Sequence, residues 1–98
     1  MVFMHQLQFH LHDGSSLVHS LEEGITTLGR HPDSIVVLDF PSVSRYHAIL
    51  ELGPKGCILV DKRSRNGTRV NGAKIHKTSL KNGDSVTFGH VQATYTDS

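Results

Sequence analysis

Three short polar stretches hold the groups best suited to chemistry: Gly29-Arg30, Ser44-Arg45-Tyr46-His47 and Ser64-Arg65-Asn66-Gly67-Thr68. Each begins or ends an apolar run, and each sets a strong donor beside a glycine or a hydroxyl. Brought to one rim, they would present guanidinium, hydroxyl and amide groups with no carboxylate among them, a combination suited to a phosphate. Arginine can hold a phosphate through two parallel charge-assisted bonds, serine adds a third donor, and an asparagine amide can bridge to a peptide backbone. Such bonds contribute on the order of 1.5 to 3 kcal/mol each, so a few reach the roughly 8 kcal/mol of micromolar binding without a deep pocket.

The same residues admit plainer roles. Arg30 could pair with Asp33 or Asp39 on the surface, where ion pairs are weak. Ser44 could cap a turn, and Asn66-Gly67 could be only a tight turn. Ser44 and His47 with Asp61 or Asp84 resemble a hydrolase triad in composition, but the Gly-x-Ser-x-Gly elbow is absent. Among eight histidines, His10 and His12 fall on one face of a strand, with His5 and His19 near in sequence. They lack the cysteine or carboxylate partners of a zinc site, and no metal or cofactor is expected. Asn66-Gly67-Thr68 would accept a glycan only in a secreted chain.

Composition narrows the class. Ninety-eight residues with 37% apolar and 19% charged predict one globular domain over residues 1–98 with a single core. No apolar run approaches the roughly 20 residues that span a bilayer, and the start of the chain has no basic region followed by a long apolar block. The one cysteine, Cys57, stands in the apolar run Cys57-Ile58-Leu59-Val60. It reads as a small buried hydrophobe, so a reducing, intracellular setting is expected. The net charge of +1 is unevenly spread: from Lys55 to Lys81 there are eight basic residues and one acid, Asp61. That asymmetry fits an anionic partner or, more simply, a solvated basic rim.

The elements that must position the polar stretches are strands. Leu7, Phe9 and Leu11 alternate with Gln8, His10 and His12, the period-2 pattern of a half-buried strand. Leu17 to Leu21, Ile25 to Gly29, Ile35 to Leu38, His47 to Leu52, Cys57 to Val60, Ser85 to Phe88 and Val91 to Thr96 read as further strands. Asp13-Gly14, Asn66-Gly67, Asn71-Gly72 and Asn82-Gly83 mark turns. No stretch has helical spacing. The pattern predicts an all-β antiparallel sandwich whose first and last strands pair, with the termini together at one end and the polar loops at the other.

Set in order, Leu28-Gly29-Arg30, Val43-Ser44-Arg45-Tyr46-His47-Ala48, Ser64-Arg65-Asn66-Gly67-Thr68-Arg69-Val70-Asn71-Gly72 and Leu80-Lys81-Asn82-Gly83-Asp84-Ser85-Val86-Thr87-Phe88-Gly89 resemble the forkhead-associated (FHA) domain over roughly Ile25 to Gly89. The resemblance implies an eleven-stranded sandwich of two sheets that reads phosphothreonine peptides and has no catalytic activity. It implies Arg30 and Ser44 as phosphate ligands, Arg45 on phosphate or peptide, and Asn66 on the peptide backbone beside the phosphothreonine. Gly29, His47 and Gly67 would hold the loops in shape. Arg65 stands where the family commonly has threonine, and enters the binding set as a long cation. The expected partner is a phosphothreonine protein bound by a monomeric signalling module, with no small-molecule substrate, membrane or nucleic acid. A phosphate-independent protein or nucleic-acid scaffold of the same fold is the alternative.

Overall fold

The computed structural model describes residues 4–97. Within this range eleven strands and no helix form two sheets: β1 (Gln6–His10), β2 (Ser16–Ser20), β3 (Gly24–Gly29), β4 (Val36–Val37), β5 (Ala48–Gly53), β6 (Gly56–Asp61), β7 (Thr68–Val70), β8 (Ala73–Ile75), β9 (Lys77–Leu80), β10 (Ser85–Phe88) and β11 (Val91–Thr96). One sheet runs β2-β1-β11-β10-β7-β8 and the other β4-β3-β5-β6-β9.

Alternation along the strands decides which side chains meet between the sheets. Leu7 and Phe9 of β1 stand opposite Tyr95 and Ala93 of β11, while Leu28, Leu50 and Leu59 lie in the adjacent strands β3, β5 and β6. These residues, with Val86 and Phe88, are essentially inaccessible to water. Burial of each large apolar side chain stabilises the fold by about 1.5 to 3 kcal/mol. The Phe9 and Phe88 rings lie 6.2 Å apart at the centre. Cys57 lies in this core, where burial pushes its thiol up to about 11 despite a hydrogen bond with Tyr95 that acts the other way.

The pairing Gln6↔Thr96 through His10↔Gln92 joins the first and last strands. It sets both ends of the described chain, at His5 and Asp97, beside the turn between β5 and β6. The segments after β3, before β5, after β6 and after β10 emerge at the opposite end. One pair departs from the antiparallel rule: β4 runs parallel to β3 over two residues, Leu28↔Val36 and Gly29↔Val37. The Ile35 N–H donates to the Thr27 hydroxyl (2.8 Å) and the Leu38 N–H to the Gly29 carbonyl (2.8 Å), which lays the returning chain alongside β3.

Residue patterning alone names no strand between Val60 and Ser85, yet β7, β8 and β9 lie there. Asn71 (φ 51°) and Gly72 (φ 87°) occupy left-handed backbone, and they make the tight turn that their types predict. Val70↔Ala73 closes it into a hairpin. The flanking strands are three or four residues long; Leu80 enters the core and Val70 and Ile75 pack against it, but each strand is too short to show a period in sequence.

Candidate functional site

The rim is built from the ends of β3, β5, β6 and β10. At the end of β3 the Arg30 N–H donates to the Ser44 carbonyl (3.0 Å) and the His31 N–H to the Arg45 carbonyl (3.1 Å), so the first polar stretch is laced to the second by its backbone. This approach explains Gly29. A Cβ there would overlap the Arg45 carbonyl oxygen and sit 3.2 Å from the His47 nitrogen.

His47 is the hub beneath the loops. It is fully buried, and its ring stands edge-on to Phe88 at 6.1 Å. The Ser44 N–H donates to Nδ1 (3.0 Å), and Nε2 meets the Gly67 carbonyl at 2.9 Å. With Nδ1 accepting, the ring proton belongs on Nε2, which donates it to that carbonyl. One side chain therefore ties the second stretch to the third. Burial holds its pKa below the ordinary histidine value, outweighing the Gly67 bond and nearby Asp61. A neutral ring is what these two bonds require. The Gly67 carbonyl also accepts the Gly89 N–H (3.0 Å). Gly67 itself has φ +86°, a conformation open to glycine in the turn that Asn66-Gly67 encodes.

The third stretch is anchored from below by Asp61, whose Oδ1 accepts the hydroxyls of Ser64 and Thr68 (2.7 Å for Thr68) and whose Oδ2 accepts the Ser64 N–H (3.1 Å). Burial raises the Asp61 pKa, but the hydrogen bonds from Ser64 and Thr68 outweigh it and leave the carboxyl below its usual range. Patterning offers Asp61 only as a triad member. Its place is underneath the loop, holding it.

Above these anchors lies a hollow of about 270 Å³ lined by Arg30, Pro41, Ser42, Val43, Ser44, Arg45, Arg65 and Asn66. All five residues singled out for binding, Arg30, Ser44, Arg45, Arg65 and Asn66, thus border one cavity. The Arg30 Nε–H donates to the Val43 carbonyl (3.1 Å), which aims the guanidinium and leaves its terminal nitrogens without a protein partner among the described residues. The Ser44 Oγ accepts the Arg65 N–H (2.9 Å) and keeps its own proton to donate. The Asn66 Nδ2 donates to the Ser42 carbonyl (2.8 Å), so its Oδ1 is left as an acceptor. Ser42, which patterning gives no role, also accepts the His90 N–H through its hydroxyl (3.0 Å).

Among the described residues no carboxylate comes within ion-pair distance of Arg30, Arg45 or Arg65. Asp33, one of the surface partners considered for Arg30, instead sits 3.7 Å from His31. Tyr46 is 63% exposed and stacks on His31 with ring centres 5.1 Å apart, beside the cavity rather than in it. His47 and Ser44 meet through a backbone N–H and not through the hydroxyl, so the pair is not a nucleophile and its base. No group of three potential metal ligands is found among the described residues, and two histidines near the start of the chain are engaged singly: His5 with the Tyr95 hydroxyl (2.7 Å) and His10 with Thr94 (2.8 Å). Among the described residues no helix is long and apolar enough to cross a membrane.

Known proteins share this arrangement of strands and motifs. The FHA domain family matches residues 26–89. The glycogen accumulation regulator GarA of Mycobacterium tuberculosis is 41% identical over 75 residues, covering 76% of this chain and 46% of GarA. The chain spans less than half of the length of this and similar curated relatives. An FHA domain solved in a study of phosphothreonine-dependent FHA interactions superposes with a TM-score of 0.87 at 32% identity, covering 95% of each chain. EmbR of Mycobacterium tuberculosis, solved with a low-affinity phosphopeptide, gives a TM-score of 0.87 at 28% identity over 97% of this chain and 24% of its own.

Proposed function

The chain belongs to the FHA domain family, and from that premise we propose that residues 1–98 act as one phosphothreonine-dependent peptide-binding module without catalytic activity. The observation that carries the reading is the Arg30 guanidinium, aimed by its Val43 bond into a hollow whose walls hold two further arginines and the Ser44 hydroxyl but no carboxylate among the described residues. Arg30 and Ser44 take the phosphate, Arg45 takes phosphate or peptide backbone, and the free Oδ1 of Asn66 accepts a peptide N–H next to the phosphothreonine. Gly29, His47 and Gly67 keep the three loops in register. The partner is a phosphorylated protein inside the cell, and the isolated module acts as a monomer.

The test is titration of the protein against a degenerate phosphothreonine peptide library and its unphosphorylated twin. Some phosphopeptide should bind at micromolar concentration and its twin should not; equal binding of both would overturn the reading. Arg30→Ala should weaken phosphopeptide binding by roughly 100-fold, the equivalent of two charge-assisted bonds. It should cost only about 1 kcal/mol of stability, because the exposed side chain makes a single bond to Val43.

The alternative, a phosphate-independent protein scaffold, draws on the outer face of the second sheet, where Ile25, Ile35 and Val37 are about half exposed. Its signature is affinity for an unmodified partner that survives Arg30→Ala. Nucleic-acid binding would instead fall steeply with salt.

A further inference from the structure

We propose that Asn66 is a modification site. Its side-chain amide is lost through attack by the Gly67 nitrogen faster than at the chain's other two Asn-Gly pairs, and the carboxylate so formed closes the arginine rim to anionic ligands. The modification itself needs no partner; its effect on binding rests on the phosphothreonine reading.

The chain holds three Asn-Gly pairs, Asn66-Gly67, Asn71-Gly72 and Asn82-Gly83. In each, the glycine has no Cβ to hinder attack by its own nitrogen on the preceding amide carbon. The fold protects two of them, by different means. Asn71 is clamped at both ends of its amide: Nδ2 donates to Asp84 (3.0 Å) and Oδ1 accepts the Ser85 N–H (3.0 Å), so Cγ cannot swing toward Gly72. At Asn82 the nucleophile is committed, because the Gly83 N–H donates to the Tyr95 carbonyl (2.7 Å), and Oδ1 also accepts the Asp97 N–H (3.0 Å). Asn66 has neither protection. Its exposed side chain makes one bond, from Nδ2 to the Ser42 carbonyl (2.8 Å), and the Gly67 N–H has no acceptor among the described residues. Gly67 is buried, so a donor without an acceptor there is a cost to the fold that ring closure removes.

The surroundings favour the reaction as well. The Gly67 nitrogen gives up its proton and bonds to Asn66 Cγ, negative charge gathers on Oδ1, and the Cγ–Nδ2 bond then breaks to release ammonia and leave an imide ring. Water opens the ring at either carbonyl. Opening at Cγ gives aspartate; opening at the backbone carbonyl gives isoaspartate, with the chain rerouted through the side chain. One water is consumed, one ammonia is released and one carboxylate is gained, with nothing oxidised or reduced. Arg30, Arg45 and Arg65 border the same hollow as Asn66, and their guanidinium charges stabilise the negative charge that develops on the way. At Asn71 the neighbouring group is the Asp84 carboxylate, which opposes it. Those arginines lack a carboxylate partner among the described residues, so the new carboxylate at position 66 pairs with them as a ligand's phosphate would. Either product therefore leaves a rim that is filled from within.

The experiment ages the folded protein at mildly alkaline pH and physiological temperature and follows the three asparagines by peptide mapping, where each conversion adds about 1 Da. Asn66 should convert at least about fivefold faster than Asn71 and Asn82, while in the urea-unfolded chain all three should convert at similar rates. The modification site is overturned if Asn71 or Asn82 keeps pace with Asn66 in the folded protein, or if Asn66 does not convert. For the effect on binding, aged samples are titrated with a phosphothreonine peptide that the fresh protein binds, and the fraction of protein able to bind should fall as Asn66 converts. Fresh Asn66→Ala and Asn66→Asp separate a lost contact from a captured rim. Asn66→Asp should bind about tenfold more weakly than Asn66→Ala at low salt, and the gap should narrow at high salt. Closure of the rim is overturned if aged protein keeps its full binding capacity, or if Asn66→Asp binds as well as Asn66→Ala. If fresh protein binds no phosphopeptide better than its unphosphorylated twin, the phosphothreonine reading fails and closure with it, while the ranking of the three asparagines still decides the modification.

Discussion

Two hollows mark opposite ends of the sandwich. The one between Ile25, Leu52, Pro54 and Ile58 measures about 630 Å³, against about 270 Å³ for the rim bordered by Arg30, Ser44 and Arg65. The larger is walled by strand residues and the turn between β5 and β6, with Glu51 and Lys55 of opposite sign at its edge. Its main offer is apolar area, worth about 25 cal/mol per Å² to whatever covers it. The smaller offers unpaired cations and a free hydroxyl proton on loops cross-linked by a buried ring. Size is therefore a poor guide here. Recognition of an anion depends on convergent donors that the protein itself leaves unmatched, and on a scaffold that keeps them from collapsing onto a carboxylate.

If the rim differs from the far hollow because a buried hub organises it, removing the hub should do the greatest damage. His47→Ala leaves the Ser44 N–H and the Gly67 carbonyl with lost bonds around a cavity. It should cost about 4 kcal/mol of stability, read by denaturant unfolding. Phosphopeptide affinity should fall with it, since Ser44 and Asn66 lose their common support. Next comes Gly29→Ala. Its methyl group must displace the Arg45 carbonyl. The displacement should cost about 3 kcal/mol, and a ligand titration should show a weakened site even where the protein remains folded.

A gentler probe is acid. The folded pKa of His47 is held below the ordinary value of 6.5, so the unfolded chain takes up its proton first. The stability this provides is complete above pH 6.5 and drains away as pH falls from there toward the folded pKa. The cause is local: the charged ring would lie buried away from water, and a protonated Nδ1 would also confront the Ser44 N–H. Unfolding free energies measured across that window should slope downward, and His47→Gln should flatten the slope. The smallest effect sharpens the comparison from the other end. Ile25 is 58% exposed and lines the far hollow. Ile25→Ser should leave phosphopeptide affinity unchanged within error and shift stability by no more than about 0.5 kcal/mol. A loss of phosphopeptide binding in that variant would mean the two ends are coupled.

How much of this the chain announces depends on the physics behind each part. Strands that bury one face write a period-2 pattern, so β1, β5, β6, β10 and β11 are legible from Leu7, Leu50, Leu59, Val86 and Tyr95. The strands β7 to β9 are too short to write a period, and only the Asn71-Gly72 turn betrays the hairpin that β7 and β8 make. Patterning likewise cannot see β4 lie parallel to β3, because two residues carry no period. At the rim, residue type marks Arg30, Ser44 and Asn66 as donors, and the ordered motifs mark His47 as a loop support. The role of Asp61 is hidden, because an acid beneath a loop looks in sequence like any other acid. Ser42 is hidden for another reason: its carbonyl, the part that holds Asn66, belongs to every residue alike.

The thiol of Cys57 has a consequence for chemistry in time. Its pKa is pushed up to about 11, and the sulfur is sealed between the sheets. Only about one molecule in ten thousand then holds the reactive thiolate at neutral pH. Oxidants and alkylating reagents therefore find it only in molecules whose core has opened. Because β6 is flanked by β5 and β9, the rate at which the single thiol reacts becomes a clock for the opening of that sheet, running inside the unaltered protein with no probe attached.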